Sequence, residues 1–419
     1  MIFFLFILTA DTFKITIDEA LKIAMKRNPE LRIERKSDAQ RNVDFVNSLF
    51  NFLPTFNAEG SYSNTETKVP TFIPGIPSPI FTSSRKGYTM SFSINQRIFS
   101  PSQLTNTLNS YFLKEKGRLS LINYEMRFVY EVTYRYFNLL KTKKILEAME
   151  KGVLRAEENF KIAEEKYSQG LLSYFDYINT KVQMENAILN KKRAEKNYYD
   201  AIYDFKYILG EERDVFYEPL DIEVDTLRFK EPKEIKFHEY EAEKWRKRIS
   251  NLNFIYNLFS FLPEVYLTYY YSYSDSLLST LFKTPETTKG LYITLSLRFW
   301  NYPFNIMKSK IESDIGKENL KRIFIMSKVN YEKALKQIEV MEKTLEVAKE
   351  KLKSAEIGYQ VASESFRLGK ISSIELRGSE ENLINSEVDY ISALYDYKLS
   401  ISYYLYLTGN LNYKERRGK

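Results

Sequence analysis

The chain has 419 residues, of which 28% are charged, 44% are hydrophobic and 15% are aromatic, and its formal net charge is +7. Because the basic residues are spread along the chain, this charge argues against nucleic-acid binding, which usually shows a clustered basic patch. The sequence has no cysteine and a single histidine, His238. This excludes disulfides, thiolate metal sites and cysteine nucleophiles, and it disfavours zinc sites and Ser–His triads.

The N-terminus carries a short apolar run, residues 2–10, followed at once by polar sequence. The run is too short for a membrane-spanning helix, which needs about 20 residues. It is typical of the apolar core of a secretory signal peptide, which we assign to residues 1–10, with Leu8-Thr9-Ala10 at the cleavage site. The usual positive charges before such a core are missing, and a buried N-terminal strand is the alternative.

Four segments predict β-strands, at about residues 54–63, 88–99, 264–273 and 290–300. Along 88–98 and 291–299 the side chains alternate between apolar and polar. The apolar set is Tyr88, Met90, Phe92, Ile94, Ile98, Leu291, Ile293, Leu295, Leu297 and Phe299; the polar set is Thr89, Ser91, Ser93, Asn95, Arg97, Tyr292, Thr294, Ser296 and Arg298. This period of two indicates one apolar and one polar face. It fits the wall of a membrane β-barrel and equally a soluble sheet with one wet face.

Two stretches with proline only near their start predict long helices, at 101–168 and 302–367. Each is followed by a glycine and then by a return helix, at 173–209 and 372–408. Apolar residues recur at steps of three and four, which is coiled-coil spacing. A helix of about 65 residues is about 100 Å long. A soluble coiled coil would account for these helices, but it does not explain why a pair of alternating strands precedes each long helix.

The two halves of the chain repeat one another. Gly170 and Gly369 lie 199 residues apart, as do Gly210 and Gly409. The same offset relates Ala163 to Ala362, Tyr167 to Phe366, Ser173 to Ser372, Asp176 to Glu375, Ala194 to Ala393 and Tyr198 to Tyr397. We interpret residues 11–210 and 239–409 as a tandem duplication, separated by a linker at 211–238 and followed by a tail at 410–419.

The strands imply an assembly of several chains. Four strands cannot close a barrel, and lipid does not tolerate an open strand edge. Three chains would supply twelve strands, a number within the range of outer-membrane barrels. The strands and helices together therefore predict a mainly α fold with a membrane β-barrel shared by several chains and a long antiparallel coiled coil.

Several stretches together resemble the TolC-like outer-membrane efflux proteins. They are "ITIDEALKIAMKRNPELRIER" (15–35), the two "FLP" strand starts, "AEENFKIAEEKYSQGLLSYFDYINTKVQMENA" (156–187) and the second glycine turn, "FRLGKISSIE". The resemblance covers essentially the whole mature chain. It implies a homotrimer in which a long antiparallel coiled-coil α-barrel in the periplasm is continuous with a 12-stranded β-barrel in the outer membrane, shared by three chains. An equatorial region would be drawn from residues 11–28, 211–238 and the C-terminal tail.

The same resemblance assigns roles to the glycine turns. They would be the periplasmic tips that contact an adaptor protein, through Tyr167, Gly170, Leu171, Phe366 and Gly369. Glycine suits such a reversal because it adopts positive φ at a helix end. Asp176 and Glu375 would form an acidic, cation-preferring entrance, although acids at a helix start are also favoured by the helix dipole alone. The best-studied member of the family has an acid at the position of Gly378 and a basic residue at the position of Ile371, so this chain lacks both of those charges.

The function implied is that of an exit duct in a tripartite efflux or type I secretion system. The partners would be two further copies of the chain, a periplasmic adaptor, an inner-membrane transporter and outer-membrane lipid, without nucleic acid. We expect no enzymatic activity, cofactor or metal, because the motifs G-x-G-x-x-G and G-x-x-x-x-G-K are absent. The alternative is a soluble or peripheral coiled-coil scaffold without channel activity.

The resemblance and the strand pattern also set a topology. Residues 64–87 and 274–289 join pairs of strands and are expected to face the cell exterior, because the long helices occupy the other side. Arg97 and Arg298 fall on the polar parity near the periplasmic side. Since an arginine facing lipid at mid-membrane costs about 2–4 kcal/mol, we expect both to face the lumen.

Overall fold

The computed structural model describes residues 12–70, 80–213, 215–221, 231–232, 234–283, 285–295 and 300–411. In chain order its elements are β1 (Thr12–Ile15), α1 (Ile17–Arg27), α2 (Pro29–Phe50), β2 (Thr55–Pro70), β3 (Ile80–Phe99), α3 (Pro101–Ser168), α4 (Tyr174–Leu209), β4 (Phe216–Pro219), α5 (His238–Leu258), β5 (Glu264–Asp275), β6 (Pro285–Thr294), α6 (Tyr302–Arg367) and α7 (Ser373–Leu407). The predicted signal peptide lies outside the described residues. No helix in the described ranges is both long and apolar enough to cross a membrane.

The chain divides into two compact units. One consists of residues 1–37, 119–241 and 322–419, and the other of residues 38–118 and 242–321. The second unit holds the strands that were predicted to enter the membrane. The first unit holds both glycine turns.

In the second unit, four strands form one antiparallel sheet in the order β2-β3-β5-β6. The register places apolar and aromatic residues opposite one another on one face: Phe56 pairs with Ile94, and Ile94 pairs with Tyr269. On the other face polar side chains bond across strands. Asn57 donates to the Ser93 hydroxyl at 3.4 Å, and Thr268 donates to the Asn95 side-chain oxygen at 2.7 Å. The sheet therefore has one apolar and one polar face, and β2 and β6 are its two edges.

The strands extend further than the sequence predicted. Strand β2 continues to Pro70 and β3 starts at Ile80, with Pro70 opposite Ile80. Most of the segment 64–87, predicted as a loop, is thus a paired hairpin, and the second predicted loop shortens to 276–284 because β5 ends at Asp275 and β6 starts at Pro285. From residue 64 to 67 and from 84 to 87 the paired hairpin is polar on both faces, so this part carries no alternation that would reveal it.

A β-bulge corrects the predicted side-chain phase of β3. Arg97 lies opposite Tyr266, but Phe99 lies opposite Val265, which leaves Ile98 as the extra residue. A bulge shifts the alternation by one residue, so Phe99 rather than Ile98 continues the apolar parity. Strand β6 ends at Thr294, short of the predicted residue 300. Arg298 lies outside the described residues.

The core of the first unit gathers side chains from α1, α3, α4 and α7 around the short parallel pair β1–β4. The pair joins residues from the 11–28 and 211–238 segments that were predicted to be equatorial. Tyr136 is fully buried on α3, and its hydroxyl shares its one hydrogen between a carbonyl oxygen of each segment. It lies 3.1 Å from the Ile15 oxygen and 2.5 Å from the Leu220 oxygen. Burial raises the pKa of Tyr136, so the hydroxyl stays protonated as the donor.

The glycines that follow the two return helices lie close to backbone carbonyl groups of other segments. Gly210 and Gly409 have φ of +64° and +72°, and an added Cβ would lie 2.9 Å from the Arg27 oxygen and 2.6 Å from the Lys236 oxygen, respectively. We expect Gly409→Ala to lower the free energy of unfolding by about 1–3 kcal/mol through backbone strain alone, with the carbonyl overlap adding to it. Thermal unfolding in detergent measures this.

The matched control is Gly378→Ala. Gly378 lies inside α7, and an added Cβ would meet nothing within 4 Å. Alanine there should stabilise the helix by about 1 kcal/mol. A loss of stability in both variants would show that conformational strain at Gly409 is not the cause.

Candidate functional site at the two glycine turns

Helix α3 reverses into α4 through a turn centred on Gly170, with φ +71°. The Gly170 N–H donates to the Tyr167 oxygen at 3.0 Å, and the Leu171 N–H donates to the Lys166 oxygen at 2.8 Å. This pair of bonds is a Schellman motif, which satisfies the last carbonyls of a helix and requires a residue at positive φ. An added Cβ at Gly170 would meet nothing within 4 Å, so backbone conformation alone demands the glycine.

The turn between α6 and α7 has the same construction. Gly369 has φ +74°, its N–H donates to the Phe366 oxygen at 3.0 Å, and the Lys370 N–H donates to the Ser365 oxygen at 2.8 Å. The nearest atom to an added Cβ at Gly369 is the Lys166 Nζ, 3.9 Å away. Both turns therefore belong to one structural type.

The serine and acid that follow each glycine start the return helix. Ser173 and Ser372 are the N-cap residues of α4 and α7. The N–H of Asp176 donates to the Ser173 hydroxyl at 3.1 Å, and the N–H of Glu375 donates to the Ser372 hydroxyl at 3.3 Å. The spacing of six residues from glycine to acid is therefore three residues from the glycine to the N-cap serine and three more from the N-cap to the N3 acid.

The two acids differ in their partners. The Asp176 carboxylate also accepts a hydrogen bond from the hydroxyl of Ser373, which belongs to the other helical hairpin. Bonds from Ser373 and then from Ser173 hold the pKa of Asp176 below its usual value. The Glu375 carboxylate instead accepts from its own N-cap, with Oε2 at 2.9 Å from the Ser372 nitrogen, which completes a capping box.

The two aromatic residues before the glycines also differ. Tyr167 is 40% exposed and stacks on Tyr177 of its own hairpin, with ring centroids 4.9 Å apart. Phe366 is 1% exposed and packs with Ala163 and Leu376, so it lies between the two hairpins. Positions that match in the sequence therefore contact different surroundings.

Several apolar side chains at the turns are open to solvent. Leu171 is 72% exposed. The sequence analysis singled out Leu171 but missed other exposed apolar residues at the turns, namely Tyr174, Phe175, Leu368 and Ile374. The sequence does contain a signal for them, because apolar residues are unusual at turns, which normally carry polar residues. These five residues form what we call the tip patch.

The sequence analysis also missed a polar cluster between the hairpins. Arg155 of α3 binds Glu387 of α7 through two hydrogen bonds, at 3.2 and 3.0 Å. Asn159 donates to the Tyr359 hydroxyl at 3.3 Å and to Glu380 Oε2 at 3.4 Å. Glu380 is buried, and burial raises its pKa above the usual range despite the nearby Arg155 guanidinium.

The predicted lumen arginines are only partly described. In the sheet unit, Arg97 is exposed, lies on the polar parity of β3, and donates to the Gln103 side-chain oxygen at 3.2 Å. Arg298 is outside the described residues. Within the described ranges, no group of three or more His, Asp or Glu side chains is placed to hold a metal ion.

No protein-family model matches the sequence, and a comparison with curated proteins finds no match. Solved structures do match. The outer-membrane channel CmeC of Campylobacter jejuni has a TM-score of 0.82 at 16% identity, over 96% of this chain and 88% of CmeC. CusC has a TM-score of 0.80 at 15% identity, over 93% of this chain and 91% of CusC. This chain has the outer-membrane channel fold.

A third structure extends the comparison. The open state of the MtrE outer-membrane channel of Neisseria gonorrhoeae has a TM-score of 0.76 at 15% identity, over 94% of this chain and 89% of MtrE. The resemblance to TolC-like proteins is thereby confirmed for the fold. Such low identity explains why the structure matches these channels although the sequence matches no family model and no curated protein.

Glu380 provides a pH-dependent test of the packing between the hairpins. Its pKa is raised in the folded state, so the folded protein binds the proton more tightly than the unfolded chain does. The stability that this carboxyl contributes is therefore complete below the unfolded pKa and falls as the pH rises through the folded pKa. Glutamine stays neutral and keeps the oxygen that accepts from Asn159. We expect Glu380→Gln to raise Tm above wild type at pH 8 and to match it at pH 4.

The control is the exposed neighbour Glu381, which pairs with Arg377 on the surface of α7. Exposed ion pairs contribute about 0–1 kcal/mol, so Glu381→Gln should change Tm little at either pH. A Glu380→Gln variant that is less stable at pH 8 than at pH 4, relative to wild type, would contradict the raised pKa.

Proposed function

We propose that the protein is the outer-membrane exit duct of a tripartite efflux or type I secretion system, with a large periplasmic portion. The observation that carries this proposal is the four-stranded sheet, which has one apolar face, one polar face and two unpaired edges. The matching channel structures support it. In this proposal the apolar face contacts lipid and the polar face lines an aqueous lumen.

The sheet edges favour closure by several chains. Each strand runs antiparallel to its neighbour from β2 to β6. Because the number of strands is even, β6 of one chain would meet β2 of the next in antiparallel orientation too. Three chains would form a closed barrel of twelve strands, which removes every open edge from lipid.

The lumen would carry a ring of positive charge near the end of the β-strands. Arg97 shares its parity with Ser93 and Asn95, whose side chains bond across the polar face. Lumen placement avoids the cost of about 2–4 kcal/mol for arginine in lipid. Arg298 belongs to the same proposal through its sequence parity.

The glycine turns would be the periplasmic tips. The tip patch exposes apolar surface on both turns, including Leu171 at 72% exposure. An exposed apolar patch on charged helices is typical of a protein–protein contact. We propose that a periplasmic adaptor binds there through Tyr167, Gly170, Leu171 and Gly369, and that Phe366 supports the surface from below. An inner-membrane transporter would supply the energy that a duct lacks.

The experiment that tests the duct combines size and conductance. Full-length protein is extracted from outer membranes in detergent, its oligomeric mass is measured by light scattering, and it is reconstituted into planar bilayers. We expect three copies per particle and discrete single-channel currents. A soluble monomer or dimer without currents would instead support the coiled-coil scaffold and contradict the duct.

Ion selectivity tests the proposed entrance acids. Three copies each of Asp176 and Glu375 would place six carboxylates near one constriction, and acidic rings select cations. We expect Asp176→Asn combined with Glu375→Gln to move the reversal potential in a salt gradient towards zero. The control is the exposed surface acid Glu381→Gln. An unchanged reversal potential in the double variant would mean that the two acids serve only to start their helices.

A further inference from the structure

The two connections at one end of the sheet differ in chemistry. The hairpin β2–β3 is polar on both faces where it extends past its neighbours, at residues 64–67 and 84–87. The segment 276–284, which joins β5 to β6 and which we call the β5–β6 loop, instead exposes three large apolar side chains. They are Leu277 at 61%, Leu278 at 62% and Phe282 at 62%. A cluster of this kind marks a contact with another molecule or with a membrane.

Hydrogen bonds hold the β5–β6 loop in a defined conformation. The Leu277 N–H donates to the Asp275 carboxylate at 3.2 Å, and the Lys283 N–H donates to the Thr280 carbonyl at 3.0 Å. Leu281 packs inward and is only 5% exposed. The outward display of the other three apolar side chains is therefore a property of a folded loop.

Phe282 shows which face of the sheet the loop continues. Its ring centroid lies 5.1 Å from that of Tyr273. Tyr273 lies opposite Met90 and has the parity of Tyr269, which lies opposite Ile94 on the apolar face. Phe282 thus extends the face that the proposed function sets against lipid, and not the polar face that would line the lumen.

Strand length sets the depth of the β5–β6 loop. Strand β5 has 12 residues and β6 has 10, whereas a tilted membrane strand needs about 9–11 residues. The loop therefore begins where the hydrocarbon of the bilayer ends, while β2 and β3 continue into water. Apolar side chains at this depth can enter the outer edge of the acyl-chain region.

Two lysines lie beside the exposed apolar side chains. Tyr88 lies opposite Asp275 at the end of β5, so Lys86, two residues farther along β3 and on the same parity, is level with the start of the loop. Lys283 directly follows Phe282 in the loop. Both lysines are exposed. Cations placed just beyond an apolar surface complement the phosphate of an anionic lipid headgroup.

We propose that the β5–β6 loop binds an anionic lipid of the outer leaflet. Leu277, Leu278 and Phe282 pack among the acyl chains, while Lys86 and Lys283 bind the phosphate of the headgroup. The proposal rests on the proposed function, because it requires that the apolar face of the sheet meets lipid. Each copy of the chain carries one such site, which fixes the height of its strands in the bilayer.

The first test locates the loop with spin labels. The chain has no cysteine, so a single introduced cysteine takes a single nitroxide label. Leu278→Cys probes the loop, Leu291→Cys probes the apolar face of β6, where Leu291 is 61% exposed opposite Leu267, and Thr65→Cys probes the polar extension. Each full-length protein is reconstituted into vesicles of phosphatidylcholine and phosphatidylglycerol. Paramagnetic resonance then measures collisions of the label with oxygen, which concentrates in lipid, and with a nickel chelate, which stays in water.

We expect the labels at positions 278 and 291 to collide more with oxygen, and the label at position 65 to collide more with the nickel chelate. A label at 278 that favours the chelate overturns the proposal, because the loop then lies in water. A label at 278 that meets neither reagent also overturns it, because protein, such as another copy of the chain, then covers the loop. If the label at 291 favours the chelate, the apolar face does not contact lipid and the proposed function itself fails.

The second test measures the preference for an anionic headgroup. Native mass spectrometry of the detergent-solubilised protein compares its affinity for added phosphatidylglycerol and phosphatidylcholine. We expect the wild type to bind phosphatidylglycerol about tenfold more tightly, because two lysines attract its phosphate and the nearby acids Asp275 and Glu66 oppose them only in part. In the double variant Lys86→Gln with Lys283→Gln, the two affinities should become nearly equal.

The matched control removes the same charge elsewhere. Lys336 and Lys343 are exposed on α6, where they pair with Glu339 and Glu346. We expect Lys336→Gln with Lys343→Gln to keep the preference of the wild type. A preference that persists in the loop variant, or that falls equally in the α6 variant, overturns the assignment of the phosphate to Lys86 and Lys283.

Discussion

Backbone N–H and C=O groups at a strand edge have no hydrogen-bond partner in hydrocarbon, and the proposed duct follows from that constraint. The sheet β2-β3-β5-β6 has two such edges. Four strands are too few to remove them within one chain, so assembly and membrane insertion become one problem. In the proposed duct a single chain would have no stable form in lipid, and its helical surfaces would meet other copies as soon as the strands do.

The six-residue spacing from glycine to acid shows how a local rule can produce a pattern that looks functional. Gly170 ends α3 in a Schellman motif, Ser173 caps α4, and Asp176 occupies the N3 position. Any helical reversal built in this way repeats that spacing. The function proposed for the turns therefore rests on what capping leaves unexplained, namely the exposed side chains of the tip patch and the bond between Asp176 and Ser373.

The sequence was informative where covalent or backbone restrictions act locally. The long helices were placed at 101–168 and 302–367, and α3 and α6 occupy those residues, because proline near a start and positive-φ glycine past an end delimit a helix. The polar part of the β2–β3 hairpin extension and the bulge at Ile98 carry no such signal. The different surroundings of Tyr167 and Phe366 were also hidden, since the repeat makes them look equivalent. The cluster around Glu380 depends on side chains 221 residues apart in sequence.

The projecting part of the β2–β3 hairpin has a consequence for how this protein can vary. A tilted membrane strand needs only about 9–11 residues, and β2 and β3 have 16 and 20. In the proposed duct this excess lies beyond the bilayer, and there residues such as Asn64 and Lys86 remain paired across the ladder. Because removing one residue from one strand would invert every side chain beyond it, natural insertions and deletions there are constrained to occur in matched pairs. Related chains should differ in the height of this projection by whole steps of the ladder, whereas point substitutions on it leave the pairing intact.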